Sequence, residues 1–470
     1  MNLEASSLVD RLAFKYVKTM SRKKPYQLQS IAIKNFLANQ DNKRFIEDLN
    51  LDPKSFFDKY HSTLVKDLMF KNYSFEVRNM KLISPAHYFY YTKLVFELVL
   101  SNNDKIKSYE MERTDGFYSG LLCNNINQFK NTYSIYNHSY KSFLEKLSYY
   151  VDHEILYIDF SDFFDSISIK KLVEILKMYY KDSFVIPLEE FFSKLNIDRL
   201  PQFHNSIASS LLSQEYLRLF DTEIQKILLD NNIRVVRFVD DMYFINEKPS
   251  PKKGEKFYYQ LLDQMSRIAW KHHLSINGSK VKVYSDETVF TLDMVNKTST
   301  FVVEERIEER AKMISQEEFL SFVEETDNLY RENGFNFKSF KKGFDQTFSI
   351  KGEDGQKVLN NFIYGGKWRK FELFALKKIL SNYRFAFFLP NPLLILYLKI
   401  YDYVEDQDKR DGTYIKSLVS ELDKGANSSI MLLDASINYL IQRGFKRTGL
   451  LEELQTFNEN YYLFIKKFVI

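Results

Sequence analysis

Two short runs of carboxylates hold the residues best suited to chemistry. Asp159-Phe160-Ser161-Asp162-Phe163-Phe164-Asp165-Ser166-Ile167 follows a short apolar run, and Phe238-Val239-Asp240-Asp241 lies between two others. Carboxylates are hard oxygen donors. Mg²⁺ takes such ligands and keeps several of its waters, so two or three carboxylates suffice. Nucleotidyl transfer uses two divalent cations about 4 Å apart, one activating the attacking hydroxyl and one holding the triphosphate. Taken singly, Asp240-Asp241 also reads as a plain turn and Asp159 as a helix-entry residue. Turns usually recruit Gly or Asn, however, and this Asp pair is bounded by apolar strand residues on both sides.

The elements that must position these residues can be read from the flanking pattern. Ile155-Leu156-Tyr157-Ile158 has strand propensity and ends at Asp159. Arg234 to Val239 and Met242 to Ile245 flank the Asp pair as a hairpin with carboxylates at its tip. Helices are expected over 169–180, 205–229 and 255–273, and a strand over 280–285. Strand, helix, helix, hairpin, helix, strand is an α+β order. Residues 1–150 read as mostly helical, with aromatic clusters at Tyr88 to Tyr91 and Tyr133 to Tyr140. Beyond residue 302 the strands give out. Helical patterns follow at 303–331, 356–363, 368–382, 392–404, 413–422, 427–443 and 447–467, with no strict sequence period. Three domains are therefore expected: 1–150, 151–302 and 303–470.

Composition excludes several classes. With 470 residues, 45% hydrophobic and 16% aromatic, the chain can bury a large core, and only 14 Gly and 9 Pro favour helix over linker. The single cysteine, Cys123, rules out a disulfide scaffold, a Cys-rich zinc module and an iron–sulfur cluster. No leader peptide is expected, and apolar runs such as Phe385 to Leu389 are too short to span a bilayer. A reduced, cytoplasmic protein without a membrane partner is the expectation. Residues 1–150 carry 22 Lys and Arg against 15 Asp and Glu, whereas residues 151–300 carry 19 against 22. A basic segment beside an acidic one suits a polyanion-binding wall next to a metal-holding carboxylate cluster, although most charge imbalance is solvated surface.

Two further segments give the carboxylates a context. Leu200-Pro201-Gln202 precedes a Ser-rich helix start, and Leu274-Ser275-Ile276-Asn277-Gly278-Ser279-Lys280 follows the hairpin after one helix. In order, the four segments resemble motifs A to D of the reverse-transcriptase palm, with Phe238 in the first place of the Tyr-x-Asp-Asp box. That resemblance implies a fingers and palm of the right-hand polymerase kind. It implies Asp159, Asp240 and Asp241 as catalytic metal ligands for two Mg²⁺, replaceable by Mn²⁺. Gln202 would lie near the sugar of the incoming nucleotide, with Phe160 lining the same site. Phe164 would block a ribose 2′-hydroxyl, giving preference for dNTPs, and Lys280 would approach the triphosphate and protonate the leaving pyrophosphate. Phe164 also reads as core, and Lys280 as a solvated helix-exit cation.

Departures from the pattern narrow the resemblance. Phe203 and His204 follow Gln202 where templated enzymes continue with Gly, so a bulky ring is expected to crowd the template path. The usual fingers pattern is not recognisable; Arg78-Asn79-Met80-Lys81 is the nearest candidate for triphosphate contacts. A retron-like Val-Thr-Gly thumb box is absent, and all seven His precede residue 274, so the C-terminal third carries no His-dependent nuclease. Its helical array resembles the C-terminal α-helical-repeat domain of bacterial abortive-infection (Abi) and unknown-group reverse transcriptases. This implies antiphage defence and template-independent, protein-primed DNA synthesis in a homo-oligomer, with single-stranded DNA product attached covalently to the protein. Two alternatives stay open: an RNA-templated enzyme working with a non-coding RNA, and a catalytically silent palm acting as a binding scaffold.

Overall fold

The architecture is that of a computed structural model. It describes residues 3–23, 27–68, 79–101, 110–117, 142–204, 206–247, 251–284, 300–349, 355–407, 413–426, 432–433, 437 and 448–470. Arg78, Cys123, the Tyr133 to Tyr140 cluster and most of 427–443 lie outside them.

The chain divides into two compact units rather than three segments. The first comprises Met1–Asp67, Asn79–Thr298 and Phe464–Val469, and so unites the expected first and second domains. The second comprises Leu68–Arg78, Ser299–Leu463 and Ile470.

Strands appear within residues 1–150, which were expected to be mostly helical. β1 (Leu64–Lys66), β2 (Met80–Ile83) and β6 (Gln202–Phe203) form one small sheet in the order β1-β2-β6. β3 (Glu110–Met111), β4 (Thr114–Phe117), β5 (Ile155–Ile158), β7 (Ile233–Phe238), β8 (Asp241–Asn246) and β9 (Lys282–Tyr284) form a second, ordered β3-β4-β7-β8-β5-β9. Successive strand residues point to opposite faces, so the register sorts the side chains. One face carries Leu156, Ile158, Val235, Met242 and Phe244 into the main core, together with the Ile207–Asp230 helix. The other carries Ile155, Tyr243 and Ile245 into a smaller cluster with Phe143 and Leu147.

The Ile169–Tyr179 helix buries Leu172, Val173, Ile175 and Leu176 on one stripe, as its spacing predicts. A helix at Asp182–Lys194 was not anticipated; it carries Pro187 in its interior and still buries Val185, Leu188, Phe191 and Phe192. The Pro85–Leu100 helix is buried nearly all round, which explains its run of apolar and aromatic residues. At the far end of the sequence, the carbonyls of Phe468 and Val469 accept hydrogen bonds from Asn35 Nδ2 at 3.1 and 3.0 Å.

The described residues of the second unit from Thr300 to Leu463 are helical between short breaks. Its core is built largely of rings. Phe319 lies against Phe322, Phe348, Phe362, Phe371 and Phe385, and Phe340 stacks on Phe388 at 4.7 Å. Among the described residues no helix is long and apolar enough to cross a membrane.

Candidate active site

Strand pairing brings the two carboxylate runs together. β5 pairs antiparallel with β8, with Ile158 opposite Met242, so Asp159 just past one strand end lies beside Asp241 at the start of the other. Asp159 and Asp241 continue the odd-numbered face that bears Tyr157 and Tyr243, away from the Ile207–Asp230 helix. The hairpin turn consists of Val239 and Asp240, since Phe238 already pairs with Asp241. Asp240 alone is therefore at the tip, and Asp241 is the first residue of a strand.

Val239 turns left-handed, with φ 56°. A two-residue hairpin turn with positive φ at its first position is of type II′, which normally takes Gly there. A β-branched residue in that conformation stores roughly 1–3 kcal/mol. Its amide donates to the Phe117 carbonyl at 2.9 Å, fixing the turn to the neighbouring strand.

The fourth segment reaches the carboxylates by lying along them. Ser161 N donates to Ser275 O and Asn277 N to Asp159 O, both at 2.8 Å, while Phe160 and Ile276 form a bridge. One 3₁₀ turn, Gly278–Lys280, then carries Lys280 back so that its Nζ lies 2.7 Å from Asp159 Oδ2. The bond to Asp159, reinforced by the fields of Asp241 and Asp240, holds the Lys280 ammonium above its ordinary range.

Charge is concentrated at the tip. Burial first, then Asp241 and Asp159 beside it, pushes the Asp240 carboxyl up to about 7. Asp241 accepts a hydrogen bond from the Tyr157 phenol at 2.5 Å. Burial and that carboxylate together drive the Tyr157 hydroxyl far above its usual range, so it stays a donor. Among the described residues no three His, Cys, Asp or Glu side chains converge into a metal cage. The donor set instead suits a hard ion such as Mg²⁺ or Mn²⁺ held by two carboxylates and completed by water and phosphate oxygens.

The remaining anticipated residues are distributed as follows. Phe164 is half-buried on a short helix and meets Phe163 edge-on at 5.5 Å. Phe160 points the other way, into the core, 3% exposed and packed on Phe163 and Phe220. Gln202 is half-buried on β6, opposite Met80 of β2. Asn79, just before β2, donates to Asp165 at 2.6 Å and so ties this small sheet to the first carboxylate run. Phe203 is only 3% exposed, its ring facing Tyr88 and Tyr91 in the core. The expected crowding of the template path by this side chain does not occur, because the ring is spent on packing. His204 is buried against Asp67 at 2.5 Å, and its carbonyl accepts from the Tyr88 hydroxyl.

Sequence reasoning missed Tyr157 and Arg237. Tyr157 could have been found by parity, since two residues before Asp159 means the same strand face. Arg237 sits fully buried behind the hairpin, its guanidinium on Asp221 and Gln214. The signal was faint: Gln214 and Asp221 are seven apart on one helix, hence on one side of it.

No family model matches the sequence, and no curated protein does. Among solved structures, apo telomerase from Candida tropicalis aligns over 90% of this chain and 72% of its own, at 10% identity and a TM-score of 0.31. So slight an overlap carries no weight for fold or function.

Proposed function

We propose that this chain is a nucleotidyltransferase of the reverse-transcriptase kind, extending DNA from dNTPs. The observation that carries the proposal is the meeting of Asp159, Asp240 and Asp241 at paired strand ends, with Lys280 folded back onto them. Crowding three carboxylates is costly for a mere scaffold, and burial first, then Asp241 and Asp159, hold the Asp240 carboxyl up to about 7.

Bound Mg²⁺ would lower the pKa of an attacking hydroxyl and neutralise charge on the triphosphate. Asp159 and Asp240 would hold it, with Asp241 oriented beside them by Tyr157. Lys280, kept protonated by its carboxylate neighbours, would give a proton to the departing pyrophosphate. β1 and β2 set Lys66 directly opposite Lys81, a like-charge pair that loses stability unless an anion covers it. Lys66 and Lys81 would offer cationic groups to a triphosphate. The half-exposed Phe164 ring would stand against a ribose 2′-hydroxyl.

The finer reading is antiphage defence by protein-primed, template-independent synthesis, in a homo-oligomer of the bacterial cytoplasm. It rests on the resemblance of the helical C-terminal part to Abi enzymes. A second reading, an RNA-templated enzyme, draws support from Phe203, whose ring packs into the core against Tyr88 and Tyr91.

The test is incubation of purified, nuclease-treated protein with Mg²⁺ and each labelled dNTP, without primer or template, then denaturing electrophoresis before and after protease. Label that stays on the protein and disappears in Asp240→Ala supports protein priming. Incorporation only after RNA and primer are added moves the reading to a templated enzyme. No incorporation under either condition sinks the polymerase proposal and leaves the scaffold.

A further inference from the structure

Behind the carboxylate hairpin lies a buried charged network that none of the chemistry above uses. Arg237 is 0% exposed on β7, on the sheet face opposite Asp159 and Asp241. Its Nε lies 3.2 and 3.1 Å from the two Asp221 oxygens, and its Nη2 lies 2.6 Å from Oδ2. Nη1 donates to Gln214 Oε1 and, at 3.3 Å, to the carbonyl of Val239. That carbonyl belongs to the left-handed residue immediately before Asp240.

We infer that Arg237 is a positioning residue that holds the Val239 turn in its strained conformation and thereby places Asp240 at the site. The inference rests on the polymerase reading for its functional consequence but on geometry for the brace itself. A guanidinium offers five donors in a rigid plane. Asp221 and Gln214 fix that plane from the long helix, leaving one N–H directed at the turn. With its amide on Phe117 and its carbonyl on Arg237, Val239 is pinned at both ends of the residue. A Gly would adopt the same φ without support. Val cannot, so the turn depends on what lies behind it.

A simple truncation of Arg237 would leave Asp221 buried and unpaired, and loss of folding would obscure the answer. The informative variant replaces the whole network with apolar residues, Gln214→Leu/Asp221→Leu/Arg237→Met, because such replacements usually preserve or raise stability. Its melting temperature is compared with wild type, along with amide exchange at 238–241 and the rate of nucleotide incorporation. Expected are near-native melting and, as one support of a strained residue is lost, hairpin exchange about tenfold faster with incorporation about tenfold slower. Adding Val239→Gly to that variant restores most of the incorporation, because the strain that needed the brace is gone. A purely structural network would not respond to that second change.

Unchanged hairpin exchange in the apolar variant overturns the brace. Faster exchange with undiminished incorporation, or a loss that Val239→Gly does not recover, overturns the positioning role. A wild-type protein that incorporates nothing refutes the polymerase reading instead, and exchange alone then decides whether Arg237 holds the turn.

Discussion

The two units bury different kinds of side chain. In the first, the core admits Asp10, Lys93, Asp67 with His204, Glu154, Asp159, Glu215 and Arg237 with Asp221. Among the described residues of the second, only Thr326, Asp327 and Thr347 are buried polar groups, and the rest of that core is aliphatic and aromatic. Asp327 Oδ1 accepts from the Arg384 amide, and its Oδ2 lies 2.7 Å from the Arg331 guanidinium. Buried charge costs solvation and returns orientation. Under the proposed function, a unit that aims carboxylates at a reacting centre has use for that exchange.

The largest expected effect separates chemistry from fold. Asp159→Asn should reduce nucleotide incorporation more than about a hundredfold, as the loss of a metal-holding charge worth several kcal/mol requires, while leaving the melting of either unit intact. An active variant would remove Asp159 from the site.

Next come paired core truncations. Phe319→Ala should cost about 3–5 kcal/mol through cavity formation in the second unit. Arg237→Ala should cost a similar ~3–5 kcal/mol in the first, by stranding Asp221. Scanning calorimetry should show each variant lowering a different transition; one shared transition would mean that the units do not unfold independently.

Acidity gives a smaller contrast, confined to the first unit. Asp10 is fully buried near Lys93, Glu97 and Asn50, and burial, opposed by Lys93, raises its carboxyl from 3.8 to about 6. The unfolded chain releases that proton near 3.8 whereas the folded chain keeps it to about 6. The unfolded state thus binds fewer protons in that window, and stability falls as pH rises through it. Asp10→Asn should therefore stabilise the protein at pH 8 relative to wild type, by an amount that vanishes near pH 4. A constant difference across pH would refute the assignment. Smallest of all, Arg267→Ala should change stability by under about 0.5 kcal/mol, because both it and its i,i+4 partner Asp263 are exposed.

How much of this was legible in the sequence follows from the range of the interactions. β5, β7, β8 and the helices Ile169–Tyr179, Ile207–Asp230 and Glu255–Lys271 announced themselves because apolar runs and periodic stripes are local signals. β1 to β4 did not. They are two to four residues long, and β2 and β4 are strands by virtue of partners more than a hundred residues away, at Gln202 and Val235. The Phe337–Phe348 helix was overlooked although Phe340, Phe344 and Phe348 recur at helical spacing, because its lysines read as a polar break. At the site, Asp159, Asp240 and Lys280 could be picked out by type and order. That Phe203 turns inward, that Tyr157 holds Asp241 and that Arg237 backs Val239 are facts of side-chain direction. A linear reading has no access to which side of a half-buried strand end faces the core.

Asn35 and its grip on the carbonyls of Phe468 and Val469 also set an order in time. The first unit is written in separate stretches of sequence, and the last of them, Phe464–Val469, is synthesised after Ser299–Leu463 of the second unit. On the ribosome, Ser299–Leu463 of the second unit emerges before the first unit has that piece. A chain cut before Phe464 would therefore lack Phe464 and Ile465, both fully buried, and the damage would fall on the first unit.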